Sequence, residues 1–160
     1  MPQWTLFEKD FRAIDQVLHE LLERTNSLSV HLVDRSGQLI TTAGRSADFD
    51  ATAFASLIAA DFTANAELGQ LMGETGLAAV VSEGRNRSVY SCLLAERVIM
   101  ATVFDRRSTL GLVRLRAGRA ARALDDVFRR LFEKVGAVQP ANAPDFVEAA
   151  GREVDALFGD

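Results

Sequence analysis

The chain has 160 residues, 48% hydrophobic and 25% charged, which suits one compact domain with a short appendage and argues against two full domains. Its longest apolar runs, such as residues 77–81, fall far short of the roughly 20 needed to cross a bilayer, so no membrane span is expected. A net charge of −4 speaks against a general nucleic-acid binder, and a single cysteine, Cys92, rules out an intramolecular disulfide.

The first residues lack the basic stretch, apolar core and cleavage site of a secretory signal, and a cytoplasmic location is expected. Thr5 followed by Glu8 has the spacing of a capping box, and Phe7, Phe11, Ile14, Leu18 and Leu21 then recur at intervals of four and three. This predicts a helix to about Thr25 with one apolar stripe. Residues 28–34 and 38–43 are rich in β-branched and apolar side chains, and Asp34-Arg35-Ser36-Gly37 between them reads as a hairpin turn with Gly37 at positive φ.

Asp50 can cap a second helix running to about Met72 and stopped by Gly73 and Gly76. Over residues 51–72 only Asp61 and Glu67 are charged, and Phe54, Leu57, Ile58, Phe62, Leu68 and Leu71 spread over more than one face. A helix apolar on several sides is buried on several sides. Strands are predicted over 77–83, 87–94 and 97–104, with links short enough to make them antiparallel neighbours. A last long helix opens near Ser108 or Thr109 and carries Leu110, Val113, Ala117, Ala120, Leu124, Val127 and Leu131 in a regular stripe.

From Gly136, Pro140 and Pro144 mark a linker, after which Asp145 and Glu148 can open a short amphipathic helix bearing Val147, Ala150, Val154, Leu157 and Phe158. The expected division is a domain over 1–136 and a linker with tail helix over 137–160. The fold class is α/β (α+β), one antiparallel five-stranded sheet in the order αββαβββα with helices on both faces. Charge is uneven along it: residues 105–134 carry nine Arg or Lys against four Asp or Glu, and residues 139–160 carry one against five. Solvated helix faces, a charged partner, or contact between tail and body would each produce that pattern.

Catalytic signatures are missing: there is no phosphate-cradling G-x-x-x-x-G-K-[ST] loop, no H-E-x-x-H, no C-x-x-C and no G-x-S-x-G. His19 and His31 read as structural, because His31 and Asp34 in one strand point to opposite sheet faces. Asp125 and Asp126 read as solvated charges, and the arginines at 106, 107, 114, 116, 119 and 122 as surface pairing in preference to an arginine finger. The chain is therefore read as a non-enzyme, with no cofactor and no metal site. The informative surface is the second helix, whose apolar residues exceed one sheet-facing stripe. Other parts of the same chain could cover the excess; the other two long helices each present one apolar face, which favours another chain. Small residues Ala55, Ala59, Ala60, Thr63, Ala64 and Ala66 permit close approach, and residues 77–81 could pair edge to edge with their own copy.

The stretch 104–116, with Asp105-Arg106-Arg107-Ser108-Thr109-Leu110-Gly111, resembles the last-strand-to-helix junction of MglB-type bacterial proteins of the roadblock/dynein light chain family. Residues 32–40, Ala55-Ser56-Leu57, Leu71-Met72-Gly73-Glu74 and Asp155-Ala156-Leu157-Phe158 extend the resemblance over nearly the whole chain. It implies a roadblock-type homodimer joined through the second helix and third strand, with contacts at Phe54, Leu57, Ala59, Phe62, Leu77 and Val80. It implies binding to a Ras-like small GTPase of the MglA type, stimulation of GTP hydrolysis without a donated arginine, and a role in cell polarity and gliding motility, concentrated at a cell pole. The GTPase-facing residues would be Ala60, Thr63, Ala64, Glu67 and Leu71, with Val154, Leu157 and Phe158 of the tail. Asp61 and Glu67 depart from the small neutral residues expected there. A scaffold of the same fold that binds without stimulating hydrolysis, and a small-molecule sensor, are the other readings; the nearly all-apolar inward stripes oppose the sensor.

Overall fold

In a computed structural model, which describes residues 5–45 and 48–138, the elements are α1 (Thr5–Thr25), β1 (Ser29–Asp34), β2 (Leu39–Gly44), α2 (Ala51–Leu71), β3 (Ala79–Glu83), β4 (Arg87–Leu94), β5 (Val98–Asp105) and α3 (Leu110–Val138). The order matches the expected one. The sheet runs β2-β1-β5-β4-β3, every pair antiparallel, so β2 and β3 are its edges. The third strand starts at Ala79, two residues later than the apolar run suggested, and α3 continues through Gly136 to Val138. The tail helix expected after Asp145 lies outside the described residues.

Alternation along the strands divides the core. Val30 and Leu32 of β1, Met100 and Phe104 of β5, and Tyr90, Cys92 and Leu94 of β4 face α1 and α3. There they meet the predicted stripes: Phe7, Phe11, Ile14, Leu18 and Leu21 of α1, and Val113, Ala117, Leu124 and Leu131 of α3, all buried. Val33 and Ile99 face the opposite way and pack against Ala55, Ala59 and Phe62 of α2. Helices α1 and α3 lie antiparallel on one face, because Asp10 near the start of α1 pairs with Lys134 near the end of α3. Among the described residues, helix α2 is alone on the other.

Local chemistry sets the boundaries. Helix α1 ends where Asn26 takes φ 54°, a left-handed stop that Asn tolerates. At the hairpin, Gly37 adopts φ 97° and its N–H bonds the Asp34 carbonyl at 2.8 Å, while the Asp34 carboxylate accepts from the Ser36 N–H at 2.8 Å. Gly44, at φ 106°, closes β2 against β1 so tightly that a Cβ there would sit 2.5 Å from the Leu28 carbonyl oxygen. Asp50 caps α2 by accepting from the N–H groups of Thr52 and Ala53 at 3.0 and 3.3 Å.

Candidate interaction surface

Helix α2 presents two faces of opposite kind of burial and the same kind of chemistry. Its inner face buries Ala55, Ala59 and Phe62 against the sheet, and Gly69 near its end is also buried. Its outer pole carries Ala53, Leu57, Ala60, Ala64, Leu68 and Leu71, all exposed, at helical spacing. Leu57, Leu68, Leu71 and the following Met72 are 69, 54, 86 and 71% exposed. The described elements leave this pole open; the sequence expectation that α2 is buried on several sides is met among the described residues only on the inner face. Beside it, β3 has one hydrogen-bonded neighbour, β4, and its other edge is free of strand pairing among the described residues.

Four of the eight expected partner-facing residues come together. Ala60, Thr63, Ala64 and Glu67 line one side of a shallow groove of about 460 Å³, whose other side is the hairpin turn Arg35, Ser36 and Gly37. Leu71 is exposed one turn further along the same pole. Arg35 lies far from α2 in sequence and its place in the groove follows from the sheet register, which swings the β1–β2 turn over α2. No local pattern signals this. Glu67 and Arg35 put one charge of each sign into the groove. Asp61 is exposed and its carboxylate accepts from the Asn65 amide at 3.0 Å, so neither acidic residue of α2 is a buried charge within the chain. Val154, Leu157 and Phe158 lie outside the described residues.

The six residues assigned to self-association take different places. Leu57 is exposed on the outer pole. Phe54 is half-buried and stacks on His31 and Phe49, with ring centroids 4.6 and 5.0 Å apart. Ala59 and Phe62 are covered by the sheet, and Leu77 and Val80 are half-buried against that same cluster, at and before the β3 edge.

Candidate nucleophiles and bases are built in as structure. His31 is 1% exposed; its Nε2 meets the Ser29 hydroxyl at 3.0 Å and its Nδ1 the Thr42 hydroxyl at 3.2 Å, and burial lowers its pKa to about 4. Burial likewise pushes the Cys92 thiol up to about 12, leaving no reactive thiolate at neutral pH. Asp125, expected to be a solvated charge, instead accepts from the Ala95 N–H at 2.6 Å and from Arg129 at 2.7 Å, and these bonds, Arg129 first, hold its carboxyl below the ordinary range. Its neighbour Asp126 is exposed. Arg106 and Arg107 sit at the β5–α3 junction, where Arg107 engages Asp105 at 3.1 Å; neither lines the α2 groove. Among the described residues no group of His, Cys, Asp or Glu is placed to hold a metal ion, and no helix is long and apolar enough to cross a membrane.

Solved structures share this fold. Myxococcus xanthus MglB is 37% identical, with a TM-score of 0.72 over 77% of this chain and 92% of that one. The gliding protein MglB of Thermus thermophilus is 26% identical, with a TM-score of 0.69 over 74% of this chain and 90% of its own. A roadblock/LC7 domain from Streptomyces avermitilis, 18% identical, shares the fold at a TM-score of 0.62, covering 74% of this chain and 97% of that chain. No protein-family model and no curated protein sequence matches the chain.

Proposed function

Since the chain belongs to the MglB-type roadblock family, we propose that it is a non-catalytic homodimer that binds a Ras-like small GTPase of the MglA type and stimulates its hydrolysis of GTP, in the control of cell polarity and gliding motility. One observation carries the reading: α2 has a fully apolar exposed pole directly beside a groove that is lined by polar and small residues. A large apolar stripe left open by a single chain marks a protein interface, and a helix on which small residues alternate with leucines admits a second helix closely. Two copies meeting through this pole, with their free β3 edges brought together, would form one ten-stranded sheet. The groove of Ala60, Thr63, Ala64 and Glu67, extended here by Arg35, then lies at the border of the joined helices, where a partner can touch both chains. Val154, Leu157 and Phe158 complete the proposed contact, and the location is taken as cytoplasmic, at a cell pole.

The test is single-turnover GTP hydrolysis by the cognate Ras-like GTPase, with and without this protein, together with the protein's mass in solution. Faster hydrolysis with a dimer, lost when Thr63→Arg fills the groove, is the expected result. Failure of every Ras-like GTPase encoded beside the gene to bind in its GTP form would overturn it, and tight binding with unchanged turnover would make the protein a scaffold.

A further inference from the structure

On the face opposite α2, helices α1 and α3 enclose a groove of about 450 Å³. Its floor is apolar: Val17 and Leu21 from α1, Ala120 and Ala123 from α3. Its rim is basic. Arg24 is engaged by Glu20 at 2.9 Å, but Arg116 and Arg119, also on the rim, form no ion pair with a described residue. The Nε of Arg116 is buried without a hydrogen-bond partner among the described residues, an unmet donor of the kind that folded proteins rarely leave open. A guanidinium whose fork is free and partly desolvated selects a carboxylate. The groove therefore calls for a segment that brings acidic groups and apolar side chains together.

This chain carries such a segment. Residues 139–160 hold Asp145, Glu148, Glu153, Asp155 and Asp160 against one cation, Arg152, and the same stretch contains Val154, Leu157 and Phe158. It starts at the end of α3, and the groove lies some 19 residues back along that helix, a distance of about 29 Å. The fifteen residues from 139 to 153 can span up to about 50 Å, so the residues from Glu153 onward reach the groove. We propose that residues 145–158 of the same chain dock into the α1/α3 groove, with Val154, Leu157 and Phe158 over the apolar floor and Glu153 and Asp155 against Arg116 and Arg119. The docking rests on the groove and the charge pattern alone and stands or falls apart from the GTPase reading; where that reading holds, the two contacts draw on the same three tail residues and exclude one another.

The experiment uses the full chain without any GTPase. A nitroxide is attached at Gly159→Cys, a selective site because Cys92 is buried, and amide broadening is followed by NMR. At low ionic strength the amides of Leu21, Ala120 and Ala123 should lose at least about half their intensity, and recover it in high salt, since exposed charge pairs are screened. Arg116→Gln/Arg119→Gln should abolish the effect while leaving the remaining amide spectrum in place, and Arg116→Lys/Arg119→Lys should retain part of it. Absence of broadening at these amides, or broadening confined to α2 residues such as Ala60 and Thr63, overturns the proposal. So does broadening seen only when nitroxide and isotope label sit on different copies, which would assign the groove to the segment of a second chain.

Discussion

His31 sits between two hydroxyls and two aromatic rings, on the face of β1 that α2 covers. That environment accommodates a neutral imidazole with each nitrogen engaged, and burial lowers its pKa from 6.5 to about 4. The unfolded chain therefore takes up a proton at this residue between pH 6.5 and 4 that the folded chain refuses. Stability from this group is complete above pH 6.5 and falls as pH drops toward 4, by at most about 1.4 kcal/mol per pH unit. Denaturant unfolding of the native protein and His31→Gln across that window should give a steeper pH slope for the native chain; equal slopes refute the assignment. A second residue-scale tension lies in the β4–β5 link, where Ala95 and Glu96 take φ 50° and 58°, the paired left-handed geometry usually left to Asn-Gly. The bond from the Ala95 N–H to Asp125 helps hold it. Glu96→Gly should raise stability by about 1 kcal/mol by removing the steric cost, and Asp125→Ala should lower it by about as much. Thermal melts of the two variants, shifted in opposite directions, are the expected outcome.

At the level of elements, α2 behaves unlike its two companions. Helices α1 and α3 each bury one stripe, whereas α2 buries small residues and Phe62 inward and leaves leucines outward. Leu57→Glu is therefore expected to abolish self-association while leaving the chain folded, because a side chain 69% exposed contributes little to its own core. Light scattering and circular dichroism together decide this: an unchanged mass, or a lost helix signal, counts against it. This contrast is also where the sequence was most informative. Spacing of Phe7 to Leu21 and of Val113 to Leu131 marked helices and their buried sides, since amphipathic periodicity is a local property. The excess of apolar residues on α2 marked the open pole in the same way. What stayed hidden was tertiary. Nothing near Arg35 indicates that its turn forms a groove with Thr63, nothing in Ala95-Glu96 announces left-handed backbone, and Asp125 reads as a surface charge until the β4–β5 turn is laid against it.

Across the whole molecule, the first and last described helices share one core with the sheet, and the ion pair of Asp10 with Lys134 ties residues 124 apart in sequence. Asp10 is 4% exposed, with Arg130 as a more distant partner at 3.9 Å. Removing the lysine leaves a buried carboxylate with only that weaker partner among the described residues, so Lys134→Met should destabilise by about 2 kcal/mol, below the full cost of stranding a buried charge. The double variant Asp10→Leu/Lys134→Met should recover most of the loss, because an apolar pair of similar volume carries no desolvation penalty. If two chains also associate through α2, the unfolding midpoint rises with protein concentration by mass action. The two effects separate. Lys134→Met lowers the midpoint at every concentration and keeps its concentration dependence, since α3 lies on the face away from the open pole. Leu57→Glu removes the dependence and leaves the low-concentration midpoint where it was. Urea titrations of the native chain and both variants over a hundredfold concentration range distinguish these patterns, and a native midpoint independent of concentration would mean that the pole of α2 does not join two copies of this chain.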